Sequence, residues 1–369
     1  MQSRFGKKTF ELIKEYGYEL ILDEELDCIE SHTITRSDAN LLLSDSREID
    51  QSYEENSKNG DSKTDSPKQQ TIKKKSGKSR KEPTKEERKT ISVAEDGRVS
   101  WLDSEYTGRL NTTKHFIENG TIFALSKEKY VWLLSTDLME CFENITIITY
   151  LYKYSLLYEY LKLKGYTHEF FYVKNGEIIP GFTDYTNELA EIRSKINIYE
   201  GSLNNIGDHK SALSVGWYRD NSSSGKMDAL LKNGYNYLHN RVHSDVSMAM
   251  WSVFKGSDGV DKVSRTKVKR NRVIKDYASS ELPCNARASN DYRERTNLAY
   301  LCNLFLHPFQ TEYFSMNDVQ IDVNGIALSR LVQWVWRSAI REGKPINLYL
   351  PSSRMRKLFI SWLNHEAYF

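Results

Sequence analysis

The apolar and polar positions divide the chain into a short folded stretch, a polar stretch and a long folded remainder. Phe10, Leu12, Ile13 and Tyr16 recur at helical spacing and stop at Gly17, which predicts an opening helix. YELILDE then predicts a short buried strand, Tyr18 to Leu22, that runs directly into Asp23-Glu24-Glu25. From about Ser44 to Lys89 apolar residues almost vanish. Such a segment buries too little surface to offset its ordering entropy, which predicts disorder. Order is expected again near Ile91. A strand is predicted at Tyr130–Leu134, a short helix at DLMECFEN, a second buried strand at Ile145–Tyr150 and an amphipathic helix through Leu163. Strands alternating with helices predict an α/β sheet of mostly parallel strands.

Residues 186–260 read as helices and loops with many polar side chains. LPCNARASND predicts a strand end followed by a loop, and YRERTNLAYLCNLFLHPF a helix that breaks before Pro308. ALSRLVQWVWRSAIREGKPINLYLPSSRMRKLFISWL predicts a helix over Ala327–Glu342, a stop at Gly343, a strand and a second helix. In the strand, Ile346, Leu348 and Leu350 alternate with Asn347 and Tyr349; Ser352 or Ser353 suits the N-cap of the last helix.

Composition narrows the function classes. A chain of 369 residues with 39% hydrophobic residues can bury a real core, in two domains or one domain with an insertion. The net charge of +2 leaves any preference for a polyanion to local runs. Lys73, Lys74, Lys75, Lys78, Arg80 and Lys81 form one run; Lys262, Arg265, Lys267, Lys269, Arg270 and Arg272 form another. Each run suits nucleic-acid phosphates or a solvated surface. Cys28, Cys141, Cys284 and Cys302 are too scattered for a zinc site or disulfide framework and read as reduced thiols. The eight histidines form no metal motif, and no second acidic pair suggests a nuclease or glycosidase. No apolar stretch is long enough to span a bilayer and the first residues lack a signal-peptide core, so a cytoplasmic protein without membrane contact is expected.

Two clusters could carry chemistry. On the predicted Ala327–Glu342 helix, Leu328, Leu331, Val332, Val335 and Ala339 form an apolar face, while Gln333, Arg337 and Arg341, four apart, form a polar stripe. Guanidinium forks suit phosphate oxygens, although an Arg pair facing solvent has the same spacing. At the end of the YELIL strand, one carboxylate could hold Mg²⁺ while the next polarises a water, or the acids could simply cap a helix.

Taken together, YELILDEELDCIE, ITIITYLY, CNARASNDYRERTNLAYL and QWVWRSAIR resemble motifs of the superfamily 2 helicase-like ATPases, the DEAD/DEAH-box class, in their phage and mobile-element form. The resemblance covers most of the chain outside 44–90 and is strongest from Leu282 to Leu363. It implies an α/β fold of two RecA-like lobes and a helicase or translocase driven by ATP with Mg²⁺ on DNA or RNA. Asp23 would take the metal position, Glu24 the water-activating position and Arg337 the arginine-finger position, with Gln333 and Arg341 contacting ATP. Thr149, Tyr150, Asn285, Arg287, Asn290 and Arg293 would face nucleic acid, aided by Lys267, Lys269, Arg270 and Arg272. The implied domains are 1–43 and 91–164 for the first lobe, 44–90 for a charged insertion, and 165–369 for the second lobe with a partly helical insertion at 186–275.

The sequence departs from that pattern at three places. Trp336 stands where the last motif, Q-x-x-G-R-x-x-R, has Gly, and Arg341 falls one residue late. No G-x-x-x-x-G-K-[ST] loop occurs anywhere in the chain. The expectation is therefore a C-terminal portion of such a motor, from a truncated gene, a split gene or an alternative start, that hydrolyses ATP very slowly or not at all by itself; a split gene would put the phosphate loop on an upstream polypeptide. The alternative is a non-enzymatic module, derived from a helicase, that binds nucleic acid or protein.

Overall fold

The computed structural model describes residues 7–33, 90–126, 129–222, 224–255, 272–286 and 290–367. Residues 44–89, where disorder is expected, and Lys267, Lys269, Arg270 and Arg287 lie outside these residues. The chain forms two compact units. The larger comprises residues 1–28, 136–307 and 314–369; the smaller comprises 29–135 and 308–313. This grouping differs from the expected boundary between lobes at 164/165.

The larger unit is built on a four-stranded, all-parallel sheet. Its strands, in spatial order, are Ile196–Ile198, Ile346–Tyr349, Asn297–Tyr300 and Ala249–Ser252. Their side chains alternate between two buried faces. Met250, Leu298, Tyr300, Leu348 and Leu350 pack with Leu331, Trp334, Phe359 and Trp362 from helices Val323–Val335 and Ser353–Leu363. Trp251, Ala299, Leu301 and Tyr349 pack with Tyr218, Leu230, Tyr237 and Leu238 from the segment 215–241. A sheet covered on both faces needs apolar residues at successive positions, which explains the unbroken LAYLC run.

Several sequence expectations change here. YRERTNLAYLCNLFLHPF is not a helix: Asn297–Tyr300 is a central strand, buried throughout. Short apolar runs of this kind read equally as buried helix or buried strand. Pro308 opens a helix, Pro308–Met316, where a missing N–H costs nothing. The stretch 186–275 is not an insertion, because Ile196–Ile198 and Ala249–Ser252 are strands of the main sheet. The Ala327–Glu342 helix ends at Val335 and is followed by a short 3₁₀ turn, Ala339–Glu342, with Gly343 at φ +70° supplying the stop. Tyr349, on the expected polar side of its strand, is buried. Ser352 does cap the last helix, accepting from the Met355 N–H.

Three asparagines cross the sheet in register. The Asn197 amide donates to Asn347 (3.0 Å), the Asn347 amide to Asn297 (2.8 Å), and the Asn297 amide to Ser244 Oγ (3.0 Å). Asn197 is exposed and Asn347 half-buried; the buried Asn297 finds its partners within the fold.

A parallel ribbon of two strands, Leu20–Leu22 and Ile145–Ile147, also belongs to the larger unit. Both strands are shorter than expected and less buried, with Ile21 exposed. Helix Lys7–Glu15 precedes the ribbon, and Gly17 turns the chain at φ +63°. Helix Leu156–Leu163 follows as predicted.

The smaller unit is antiparallel. Its sheet runs Ile29–Thr33, Lys129–Leu133, Ile122–Ser126, with a separate hairpin of Ile91–Val93 and Val99–Trp101. The predicted strand Tyr130–Leu134 is present, but only two residues separate it from Ile122–Ser126, and parallel strands need a far longer crossover. Ile91, Val99, Ile117, Ile122 and Tyr130 form this unit's core.

In parallel α/β sheets, ligands favour the carboxyl ends of neighbouring strands whose onward connections leave on opposite faces. Here that pair is Ile196–Ile198 and Ile346–Tyr349: one leads into the Leu203–Leu238 layer and the other into the Phe359 layer. The crevice is filled. The Tyr349 hydroxyl donates to the Leu203 carbonyl (2.6 Å), and Gly207 lies so close to Pro351 that any Cβ would overlap its carbonyl oxygen. Gly207→Ala is expected to destabilise the unit by about 1–3 kcal/mol, as overpacking against backbone does. Chemical denaturation checks this; an unchanged midpoint would show that the contact relaxes without cost.

Candidate functional site

The acidic turn and the arginine stripe meet. Asp23 and Glu24 follow the strand Leu20–Leu22, and Ile148, Thr149 and Tyr150 follow its partner Ile145–Ile147. Parallel pairing brings both carboxyl ends to one edge. Leu151, a non-glycine residue at φ 57°, then turns the chain; conformations of this kind cost about 1–3 kcal/mol and persist only where surrounding contacts impose them. Opposite stand Gln333, Trp336, Arg337 and Arg341, at and beyond the end of helix Val323–Val335. Between them lies a cavity of about 590 Å³.

Its central contact is an ion pair. Arg337 Nη2 donates to Glu24 Oε1 at 2.7 Å, with 13% of the arginine and 32% of the glutamate side chain exposed. Partial burial strengthens the pair relative to a surface bridge, while raising the cost of removing one partner. Gln333 Nε2 reaches Thr149 Oγ1 (3.5 Å) and Ser329 Oγ (3.3 Å). Arg341 Nη1 donates to Asn290 Oδ1 (2.8 Å). The stripe therefore survives the loss of its helix: Gln333, Arg337 and Arg341 still line one wall, carried by the helix end, a turn and a 3₁₀ segment.

Glu25, the third carboxylate, has a different task. Its Oε1 accepts from the Leu157 N–H (3.3 Å) at the start of helix Leu156–Leu163, beside Ser155, which accepts from the Tyr158 N–H (3.0 Å). Capping was one of the two roles foreseen for these acids, and here Glu25 fulfils it.

Other expected residues are distributed differently. Thr149 and Tyr150 line the cavity itself. Asn290 reaches it only through Arg341, and Asn285 and Arg293 are exposed without lining it. Arg272 is half-buried; its Nη1 donates to the Phe254 carbonyl (2.6 Å) and its guanidinium lies 5.0 Å from the Tyr218 ring, so part of it is engaged within the fold.

The sequence reading missed Tyr185, Glu188, Glu191, Lys195 and Trp362, all of which line the cavity. Glu188, Glu191 and Lys195 share one face of the Thr186–Ser194 helix and its end, a spacing that could have been noticed. Lys195 Nζ sits 2.6 Å from Glu191. Tyr150 stands edge-on to Tyr185 and Trp362, at 6.4 and 6.1 Å. Burial pushes the Tyr150 and Tyr185 phenols up, so both stay protonated at neutral pH.

The residues present fit only part of a magnesium nucleotide. Two adjacent carboxylates suit Mg²⁺ when phosphates complete its shell, and Arg337 and Arg341 suit a terminal phosphate. Among the described residues no group of three or more His, Cys, Asp or Glu could hold a metal by itself. The chain has no glycine-rich phosphate loop, so the α- and β-phosphates have no cradle.

Comparison with known proteins finds a match for the main sheet. Residues 190–363 match the YonV C-terminal Rossmann-like domain. The chain is also similar to the SPbeta prophage-derived uncharacterized protein YonV of Bacillus subtilis (strain 168), at 29% identity over 369 residues, spanning 99% of this chain and 78% of the relative. No solved structure matches. The α/β class and the likeness to a phage protein agree with the sequence reading; the C-terminal domain matches as Rossmann-like where a second RecA-like lobe is expected, and neither match names a helicase. No helix among the described residues is long and apolar enough to cross a membrane.

Double-mutant analysis of Glu24→Ala and Arg337→Ala is expected to give a coupling of about 1–2 kcal/mol in unfolding free energy. Additive effects of the two substitutions would show that the ion pair contributes nothing to stability.

Proposed function

We propose that this chain carries the hydrolytic half of a helicase-type nucleotide motor and lacks the phosphate-binding half. The observation that supports this reading is the Glu24–Arg337 contact. A carboxylate at the end of a parallel strand and an arginine from the Rossmann-like domain share one cavity. In phosphoryl transfer the first orients the attacking water and the second neutralises charge developing on the phosphate. Gln333 beside Thr149 is a further link between the last motif and the segment that follows the second ribbon strand.

In this reading the acids and arginines of this chain bind, orient and neutralise at the terminal phosphate only. ATP and Mg²⁺ are bound productively when a phosphate loop from outside these 369 residues completes the site, and the nucleic acid lies against the exposed Asn285, Arg293 and the basic run near Lys267. A second reading, a non-enzymatic module that binds nucleic acid or protein, is favoured by Glu25, which is committed to capping a helix, and by the closed state of the Glu24–Arg337 pair.

The purified chain is expected to show no ATP turnover, with or without single-stranded DNA or RNA. Co-expression with a partner that bears a phosphate loop and is encoded beside it should restore turnover, and Arg337→Ala should then lower kcat at least about a hundredfold, in keeping with the weight of arginine fingers. Failure of every such partner, together with full retention of nucleic-acid binding in Arg337→Ala, would establish the second reading.

A further inference from the structure

We propose that Glu24 is a built-in competitor for the anion site of Arg337: its carboxylate occupies the guanidinium position that a phosphate group would take, and that group must displace it to bind. The inference rests on the reading of Arg337 as a phosphate-facing residue and adds how access to it is controlled.

The electrostatics of the cavity carry the argument. Four carboxylates, Asp23, Glu24, Glu188 and Glu191, face three cations, Lys195, Arg337 and Arg341. Two of the cations are already in ion pairs, Lys195 with Glu191 at 2.6 Å and Arg337 with Glu24 at 2.7 Å. Arg341 is held by a neutral amide, Asn290. A polyanion entering this cavity meets a net negative wall, and its first strong partner is taken. The pairs are not equivalent. Glu191 is on the same helix as Lys195, one turn away, and its side chain is 68% exposed, so solvent screens that contact. The Glu24–Arg337 pair joins residues 313 positions apart and is the more buried of the two. A carboxylate and a phosphate oxygen are alternative acceptors for the same N–H fork. While Glu24 holds Arg337, the carboxylate that should polarise water and the arginine that should meet the phosphate cancel each other, and the site is shut.

The test uses the full chain and inorganic triphosphate, with binding measured by isothermal titration calorimetry at fixed ionic strength. Glu24→Gln removes the competing charge and keeps the shape. It is expected to bind triphosphate about tenfold tighter than the wild type. Arg337→Ala should bind no tighter than the wild type, and the double variant Glu24→Gln/Arg337→Ala should lose the gain. Glu191→Gln is the matched control, removing one charge from the same cavity at the other pair. If it tightens binding as much as Glu24→Gln does, the effect is general charge and the proposal falls. It falls equally if Glu24→Gln leaves the affinity unchanged. Should Glu24→Gln fail to fold, Glu24→Asp keeps the charge but retracts it by one methylene; it should tighten binding by a smaller factor, and no gain there overturns the proposal. A tighter Glu24→Gln complex in a chain that no partner restores to ATP turnover would uphold the competition while removing the motor reading.

Discussion

The parallel pairing of Leu20–Leu22 with Ile145–Ile147 is the constraint from which the site follows. Parallel strands end on the same edge, so the residues after both strands must emerge together: Asp23 and Glu24 from one, Thr149 and Tyr150 from the other. Antiparallel pairing would send them to opposite edges, leaving Arg337 with one group or the other and never both. The ribbon is small and poorly buried, so its own stability is modest. Beyond its ends the ribbon touches the helix of the larger sheet, and the turn after that helix, through Thr149–Gln333 and Glu24–Arg337.

The larger sheet is organised against the usual placement of ligands. Its carboxyl-end crevice is closed by Gly207 on Pro351 and by Tyr349 on Leu203, while the cavity lies by Lys195 and Gly343, at the amino ends of Ile196–Ile198 and Ile346–Tyr349. The Rossmann-like domain thus contributes side chains to a cavity that also takes in the residues after the ribbon strands.

The legibility of the sequence followed burial. Elements with one face wet, such as helices Leu156–Leu163 and Ser353–Leu363, showed their period and were found close to their true limits. Asn297–Tyr300 and Ala249–Ser252 are buried on both faces, so they carry no period, and one was read as helix and the other passed over. The Gln333–Arg337–Arg341 stripe is expected on one helix face; the helix breaks after Val335, yet the turn that replaces it leaves all three lining the same cavity. Trp362 gives no signal in the sequence because only the assembled fold brings it to the cavity that Asp23 lines. Arg272 looked like a free cation because a sequence shows charge and not the aromatic ring or the carbonyl that claims it.

The amide relay through Asn197, Asn347 and Asn297 bears on how such a site could open. Each amide needs the carbonyl of the next at one matching position, so sliding the Asn297 strand by a single residue would leave its buried amide without a partner, whereas the exposed Asn197 end of the relay can turn to solvent. Glu24 and Arg337 can part by side-chain rotation alone, so an anion could gain the guanidinium while the sheet keeps its register.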